Sequence, residues 1–146
     1  MTNPITIEHT ILRQNIIPGL LRLLAANKHH ELPQGVYELG SVVINHQNRE
    51  KFAFLVAENS GGFAALRGRL QSLMRDFGCE KWSLEATDTG PWLKGRAADI
   101  MVEGRKIGQC GEIDPRVSEL FELNVPMSGA QFDVSVLARV LDDPVH

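Results

Sequence analysis

Cysteine is scarce in this chain: Cys79 and Cys110 are its only two among 146 residues. Two distant cysteines give neither a disulfide framework nor a zinc site, so both are expected to pack as small apolar side chains in a reducing compartment. No apolar run approaches the roughly 18 residues that a membrane-spanning helix needs. Met1-Thr2-Asn3-Pro4 lacks the charged-then-apolar layout of a secretion signal. Together these absences predict a cytoplasmic protein without a membrane partner. Positive charge is not in excess either, with 15 Lys and Arg against 18 Asp and Glu, a net charge of −3. That balance excludes a global basic field for nucleic acid. Lys94, Arg96, Arg105 and Lys106 form a local basic run, read as solvated charges on neighbouring strands. A Gly-x-Ser-x-Gly elbow and a Gly-x-x-x-x-Gly-Lys phosphate loop are both missing.

What is present is an ordinary folding composition, 43% hydrophobic and 23% charged. The length suits one domain with a real core, so residues 1–146 are expected to form a single unit. A helix is predicted from Pro18 to about His29, because proline fits a first helical position and Leu20, Leu21, Leu23 and Leu24 make an apolar face. Strands are predicted at Val36–Asn45 and Lys51–Ala57, joined by the polar His46-Gln47-Asn48-Arg49. Phe63, Leu66, Leu70, Leu73, Met74 and Phe77 recur at three- and four-residue steps, a helix ended by Gly78. A short strand is predicted at Trp82–Ala86, and a hairpin across Gly104 from Ala97–Glu103 and Arg105–Ile113. A short helix follows over Arg116–Leu123, entered through Asp114 and Pro115. The last elements are a strand at Gly129–Val134 and a helix at Ser135–Leu141. The order predicts an α+β fold, an antiparallel sheet flanked by helices lying on one side.

Residues alone offer little chemistry. His29 and His30 are adjacent, so on a helix they diverge by about 100° and cannot share one metal. His9, His46 and His146 have no ligand at metal-binding spacing, so no metal is expected. Gly108-Gln109-Cys110-Gly111 falls within a strand, where glycines more often permit close backbone approach than cradle phosphate. Cys110 lacks an assignable base, and Asp114 before Pro115 reads as a helix cap rather than half of an acid pair with Glu112.

Several ordered segments do carry a pattern. Asn3-Pro4-Ile5-Thr6, then Leu12-Arg13-Gln14-Asn15-Ile16-Ile17-Pro18-Gly19-Leu20-Leu21, then Val36-Tyr37-Glu38-Leu39-Gly40 open it. Gly95-Arg96-Ala97-Ala98, Ile107-Gly108, Gly111-Glu112-Ile113-Asp114-Pro115 and Gln131-Phe132-Asp133-Val134 continue it. In that order they resemble the catalytic-like core module of the phenylalanyl-tRNA synthetase β subunit. The resemblance implies the class II aminoacyl-tRNA synthetase catalytic-core fold without its working residues. Catalytic class II relatives keep an arginine for the ATP α-phosphate where this chain has Glu38. They keep another after the closing strand, where Val134-Ser135 stands here and Arg139 comes late. Contacts of that kind are worth roughly 3 kcal/mol each to a transition state. The resemblance therefore implies a chain that is not an enzyme on its own, with no catalytic residue and no cofactor, ATP and Mg2+ belonging to its catalytic relatives. It implies a structural and assembly role in phenylalanine–tRNA ligase, with a second copy or a catalytic α subunit as partner, through a seam at Leu20, Leu21 and Leu24. The alternative for those leucines is a helix covering its own sheet. The β subunits of the family are much longer, so the chain reads as a stand-alone paralogue or a fragment, and direct tRNA binding is not carried over. A competing function is small-molecule binding, of an amino acid or a nucleotide, in a cleft near Tyr37, Glu38, Arg96, Gln109 and Glu112. A third is a remnant ATP-dependent ligase.

Overall fold

The computed structural model describes residues 16–28, 31–59 and 62–141. Asn3–Thr6, Leu12–Asn15, His9, His29, His30 and His146 lie outside the described residues.

The chain enters helix α1 (Ile17–Ala26) through Pro18 and buries Ile17, Leu20, Leu21 and Leu24 along one stripe. The helix stops three residues earlier than the leucine pattern predicts. At its end the Asn27 side-chain amide and backbone N–H both donate to the Leu23 carbonyl, at 2.9 and 3.2 Å. Strands β1 (Gln34–Ile44) and β2 (Gln47–Ala57) follow. The polar stretch expected to be a four-residue connection is instead a two-residue turn, with Ile44 paired to Gln47. Asn45 and His46 both take positive φ, 51° and 64°, the pairing that matches a tight hairpin to the twist of its strands.

Helix α2 (Gly62–Asp76) buries Leu66, Leu70 and Met74. Strands β3 (Trp82–Ala86), β4 (Trp92–Val102) and β5 (Arg105–Ile113) then meander. Helix α3 (Pro115–Leu120), strand β6 (Met127–Asp133) and helix α4 (Val134–Leu141) complete the order. The six strands form one antiparallel sheet in the order β1-β2-β6-β5-β4-β3.

Helices cover both faces of this sheet, which corrects the expectation of helices on one side. Successive strand residues point to opposite faces. In β2, Ala53, Leu55 and Ala57 join α1 in one core, whereas Phe52 and Phe54 pack with Leu66, Leu70, Phe132 and Leu137 in the other. Residues of β6 are buried on both sides, a signature of a central strand that needs two covering layers. Gly129 and Gly108 mark where β6 meets its neighbours. A methyl group on either would overlap a backbone carbonyl oxygen, that of Phe54 or of Gln131.

Asp114 caps α3 as its position before Pro115 predicts. Its Oδ1 accepts from the Arg116 N–H at 2.9 Å, and the Arg116 guanidinium donates to Oδ2 at 2.8 Å. That side-chain hydrogen bond holds the carboxyl below its ordinary range, against the opposing effect of burial. A depressed carboxyl pKa stabilises the fold above the unfolded value of 3.8, and the contribution is lost as pH falls through the folded value. Asp114→Ala is expected to cost about 1 kcal/mol at neutral pH. Urea titrations should show the gap between variant and parent closing below about pH 4; a gap unchanged at pH 3 rejects the cap.

Candidate ligand face of the sheet

Strand register brings together a set of polar residues that are remote in sequence. Glu38 lies opposite Ala53, Ala53 opposite Gln131, and Gln131 opposite Gln109. Gln109 lies opposite Asp99, and Asp99 opposite Glu85. Directly opposed residues share a face, so this row crosses all six strands on the α1 side.

Its three central polar members, Gln131, Gln109 and Asp99, are already engaged within the chain. The Ile16 N–H donates to Gln131 Oε1 at 2.7 Å, which anchors the residue from which α1 starts. Gln109 Oε1 accepts from the Trp92 indole at 3.2 Å, and its amide donates to Thr89 at 2.9 Å and Asp99 at 3.1 Å. Lys106 pairs with Asp99 at 3.2 Å. Glu38 packs its carboxylate against Gly19 in the first turn of α1, where an added Cβ would sit 2.5 Å from Glu38 Oε2. That turn has no acidic residue of its own and no side-chain cap. A carboxylate supplied from β1 complements the positive end of the helix dipole there.

Sequence reasoning missed a second group on the same face. Arg49 and Lys51 of β2 converge on Asp133 at 3.5 and 3.6 Å. Asp133 also accepts the Val136 N–H at 3.2 Å, so it caps α4 while holding both cations. Only the register of β2 with β6 reveals this, since Lys51 and Asp133 are 82 residues apart and directly paired.

The five expected ligand residues do not converge. Glu38 and Gln109 lie in the row on the α1 face. Tyr37, one residue from Glu38, points to the opposite face, 76% exposed with its ring 6.4 Å from that of Phe52. Glu112 lies three residues beyond Gln109 and so also takes the other face, beneath Gly62 at the start of α2. Arg96 reaches that carboxylate at 3.2 Å. Strand alternation separates these groups, and one cleft cannot hold them all. Leu20, Leu21 and Leu24, expected at a partner seam, are 0%, 0% and 2% exposed against the chain's own sheet. Leu23, at 45%, is the leucine that α1 leaves outside.

Cys110 is buried in the α2 core, and burial pushes its thiol up to about 12. The thiolate that nucleophilic attack requires is therefore scarce at neutral pH. Among the described residues, no three His, Cys, Asp or Glu are grouped to hold a metal, and no helix is long and apolar enough to cross a membrane.

The model of the family described as "Phenylalanyl tRNA synthetase beta chain CLM domain" matches residues 1–134. The phenylalanine–tRNA ligase beta subunit of Archaeoglobus fulgidus is 41% identical over 133 residues, 91% of this chain and 24% of that protein. The beta subunit of Methanopyrus kandleri is 36% identical over 144 residues, 94% of this chain and 24% of its own length. The chain thus spans about a quarter of these relatives. A pyrrolysyl tRNA synthetase of Desulfitobacterium hafniense superposes with a TM-score of 0.73 at 14% identity, over 88% of this chain and 49% of that one. That likeness gives the fold, a class II synthetase-like antiparallel sheet with helices. By the family model and these relatives together, the chain belongs to the phenylalanyl-tRNA synthetase beta chain CLM domain family.

Proposed function

We propose that this chain is a non-catalytic class II core serving as an assembly module of phenylalanine–tRNA ligase in the cytoplasm, in company with a catalytic α subunit. One observation carries the reading: the two glutamines of the polar row on the α1 face are committed to partners within the chain, and its carboxylate Glu38 is packed under α1. Glu38 is turned to the first turn of α1, Gln131 holds Ile16, and Gln109 is shared among Trp92, Thr89 and Asp99. A site that must reorganise these contacts to receive a nucleotide gains little from binding it, because preorganised charge is what such catalysis uses. A carboxylate at Glu38 would moreover repel the phosphate that an arginine would attract.

Support for assembly comes from β1, the edge strand of the sheet among the described residues. Tyr37, Leu39 and Val43 lie along one side of β1, exposed by 76%, 66% and 62%. Exposed apolar side chains along an edge strand, interrupted here only by Ser41, are unfavourable in water and are commonly covered by another chain. The leucine stripe of α1 is consumed internally, so β1 takes over as the partner surface in this reading. Size-exclusion chromatography with light scattering, on the chain alone and mixed with a phenylalanine–tRNA ligase α subunit, tests it. A complex with the α subunit that is lost in the Tyr37→Glu, Leu39→Glu double variant is expected. No complex, or one indifferent to that variant, rejects the reading.

Nucleotide binding is the second reading, favoured by Arg49 and Lys51, whose two positive charges face the single carboxylate of Asp133. Calorimetry with ATP and Mg2+ decides between the two. Micromolar binding lost in Lys51→Gln would establish the nucleotide site and remove the inert scaffold.

A further inference from the structure

A cleft of about 350 Å³ lies at one end of the sheet, away from the polar row, and nothing above uses it. It is bounded by α3, the 121–126 loop, the end of β5, the start of β6 and the first residue of α2. Its walls are largely apolar, with Leu93, Ile113, Leu123, Val125 and Met127 among them. Its size and lining are those of a small-molecule pocket.

Two features of the lining point to a ligand. Ser128 lines the cleft at 4% exposure, yet its hydroxyl has no hydrogen-bond partner among the described residues. Buried hydroxyls are almost always paired, and one left unpaired in an apolar wall is unfavourable until something supplies the bond. The second feature is charge. Glu58, Glu112 and Glu119 line the cleft, and no Lys, Arg or His is among the residues that line it. Arg69 grips Glu58 through two bonds of 2.8 and 3.1 Å, and Arg96 pairs with Glu112 at 3.2 Å. Glu119 is exposed and has no ion-pair partner among the described residues. One negative charge thus stands uncompensated beside an apolar hollow with a vacant hydrogen-bonding group.

We propose that this cleft binds a primary ammonium group carried on a compact apolar body. The body fills the hollow between Leu123, Val125 and Met127, and the ammonium bonds the Ser128 hydroxyl and the carboxylate side of the lining. Free α-amino acids are poor ligands here, because their carboxylate meets Glu119 while the two nearby guanidiniums, of Arg69 and Arg96, are already held by Glu58 and Glu112. An amine that has lost its carboxylate, or a lysine side chain within a polypeptide, has the required chemistry. This inference does not depend on the assembly role, since neither Tyr37 nor Leu39 lines the cleft.

Amide NMR spectra of the full chain, titrated with isoamylamine and phenethylamine, test the proposal. Leucine and phenylalanine serve as their carboxylated counterparts, and Nα-acetyl-lysine amide represents a polypeptide lysine. Saturable shifts confined to residues around Ser128 and Leu123 are expected with the amines and absent with the amino acids. Binding of acetyl-lysine amide alone assigns the source to a polypeptide, and binding of the free amines alone assigns it to a small molecule. Ser128→Ala should weaken binding by roughly tenfold or more, as loss of one hydrogen bond to a charged group does. Glu119→Gln, on the surface, should weaken it by a smaller factor that shrinks in salt. Absence of saturable shifts with all three amines at millimolar concentration overturns the proposal. Equal binding by both variants and the parent overturns it as well.

Discussion

Leu20→Ala is expected to lower the stability of the fold by about 2–5 kcal/mol, a large fraction of what a domain of this size has. Leu20 is wholly buried, packed in the α1 core with Leu24, Leu55 and Ala53. Removing its branched end leaves a cavity that the rigid strands beneath cannot close, so both the transfer and the cavity contributions are lost. The double variant Leu20→Glu, Leu24→Glu goes further, because it places two carboxylates with no cation beside them in that core. Circular dichroism and light scattering together should find an unfolded chain. Folded monomers released from a larger species would instead mean that these leucines form a seam between chains. Leu23→Glu is the matched control, since Leu23 is half-exposed on the same helix and should tolerate the charge.

Gly129→Ala is expected to be comparably damaging, about 3 kcal/mol or more, although it adds one methyl group. Gly129 sits in β6 between Leu55 of β2 and Gly111 of β5. The new Cβ would fall on the Phe54 carbonyl oxygen, with the Leu55 side chain also too close at 2.7 Å. Relief requires β2 and β6 to separate, and that weakens the ladder joining the β1–β2 hairpin to the rest of the sheet. Gly68→Ala gives the opposite sign. Gly68 lies in α2 with nothing within 4 Å of an added Cβ. Alanine there should stabilise by roughly 0.5–1 kcal/mol, because glycine loses more backbone freedom on entering a helix. Urea midpoints for both variants, compared with the parent, check the pair. A Gly129→Ala protein as stable as the parent would mean that the strands are not packed as closely as described.

Local patterns made most elements legible. The leucines of α1, the three- and four-residue steps of α2, the glycine between β4 and β5 and the Asp114-Pro115 start of α3 each declare a period, a turn or a cap within a few residues. The end of α1 was less legible, because no glycine or proline stands directly after Ala26 to mark it. The Asn45-His46 turn was hidden for another reason. Polar residues in a run look like a loop, whereas the hairpin needs only two positive-φ positions and extends the strands through the rest.

The sequence by itself determined the class of fold and the family, because these are written in composition, period and the order of short motifs, whereas the second core on the far face of the sheet came from the structure. It also singled out Glu38. Only the tertiary structure decided what that residue does, since the contact with Gly19 depends on where α1 lies over β1. The same holds for the row from Glu38 to Glu85, the clasp of Arg49 and Lys51 on Asp133 and the unpaired hydroxyl of Ser128. The physical reason is common to all of them. A strand shows each neighbour alternately to two faces, so which residues meet is set by register between distant segments, and no local pattern encodes it.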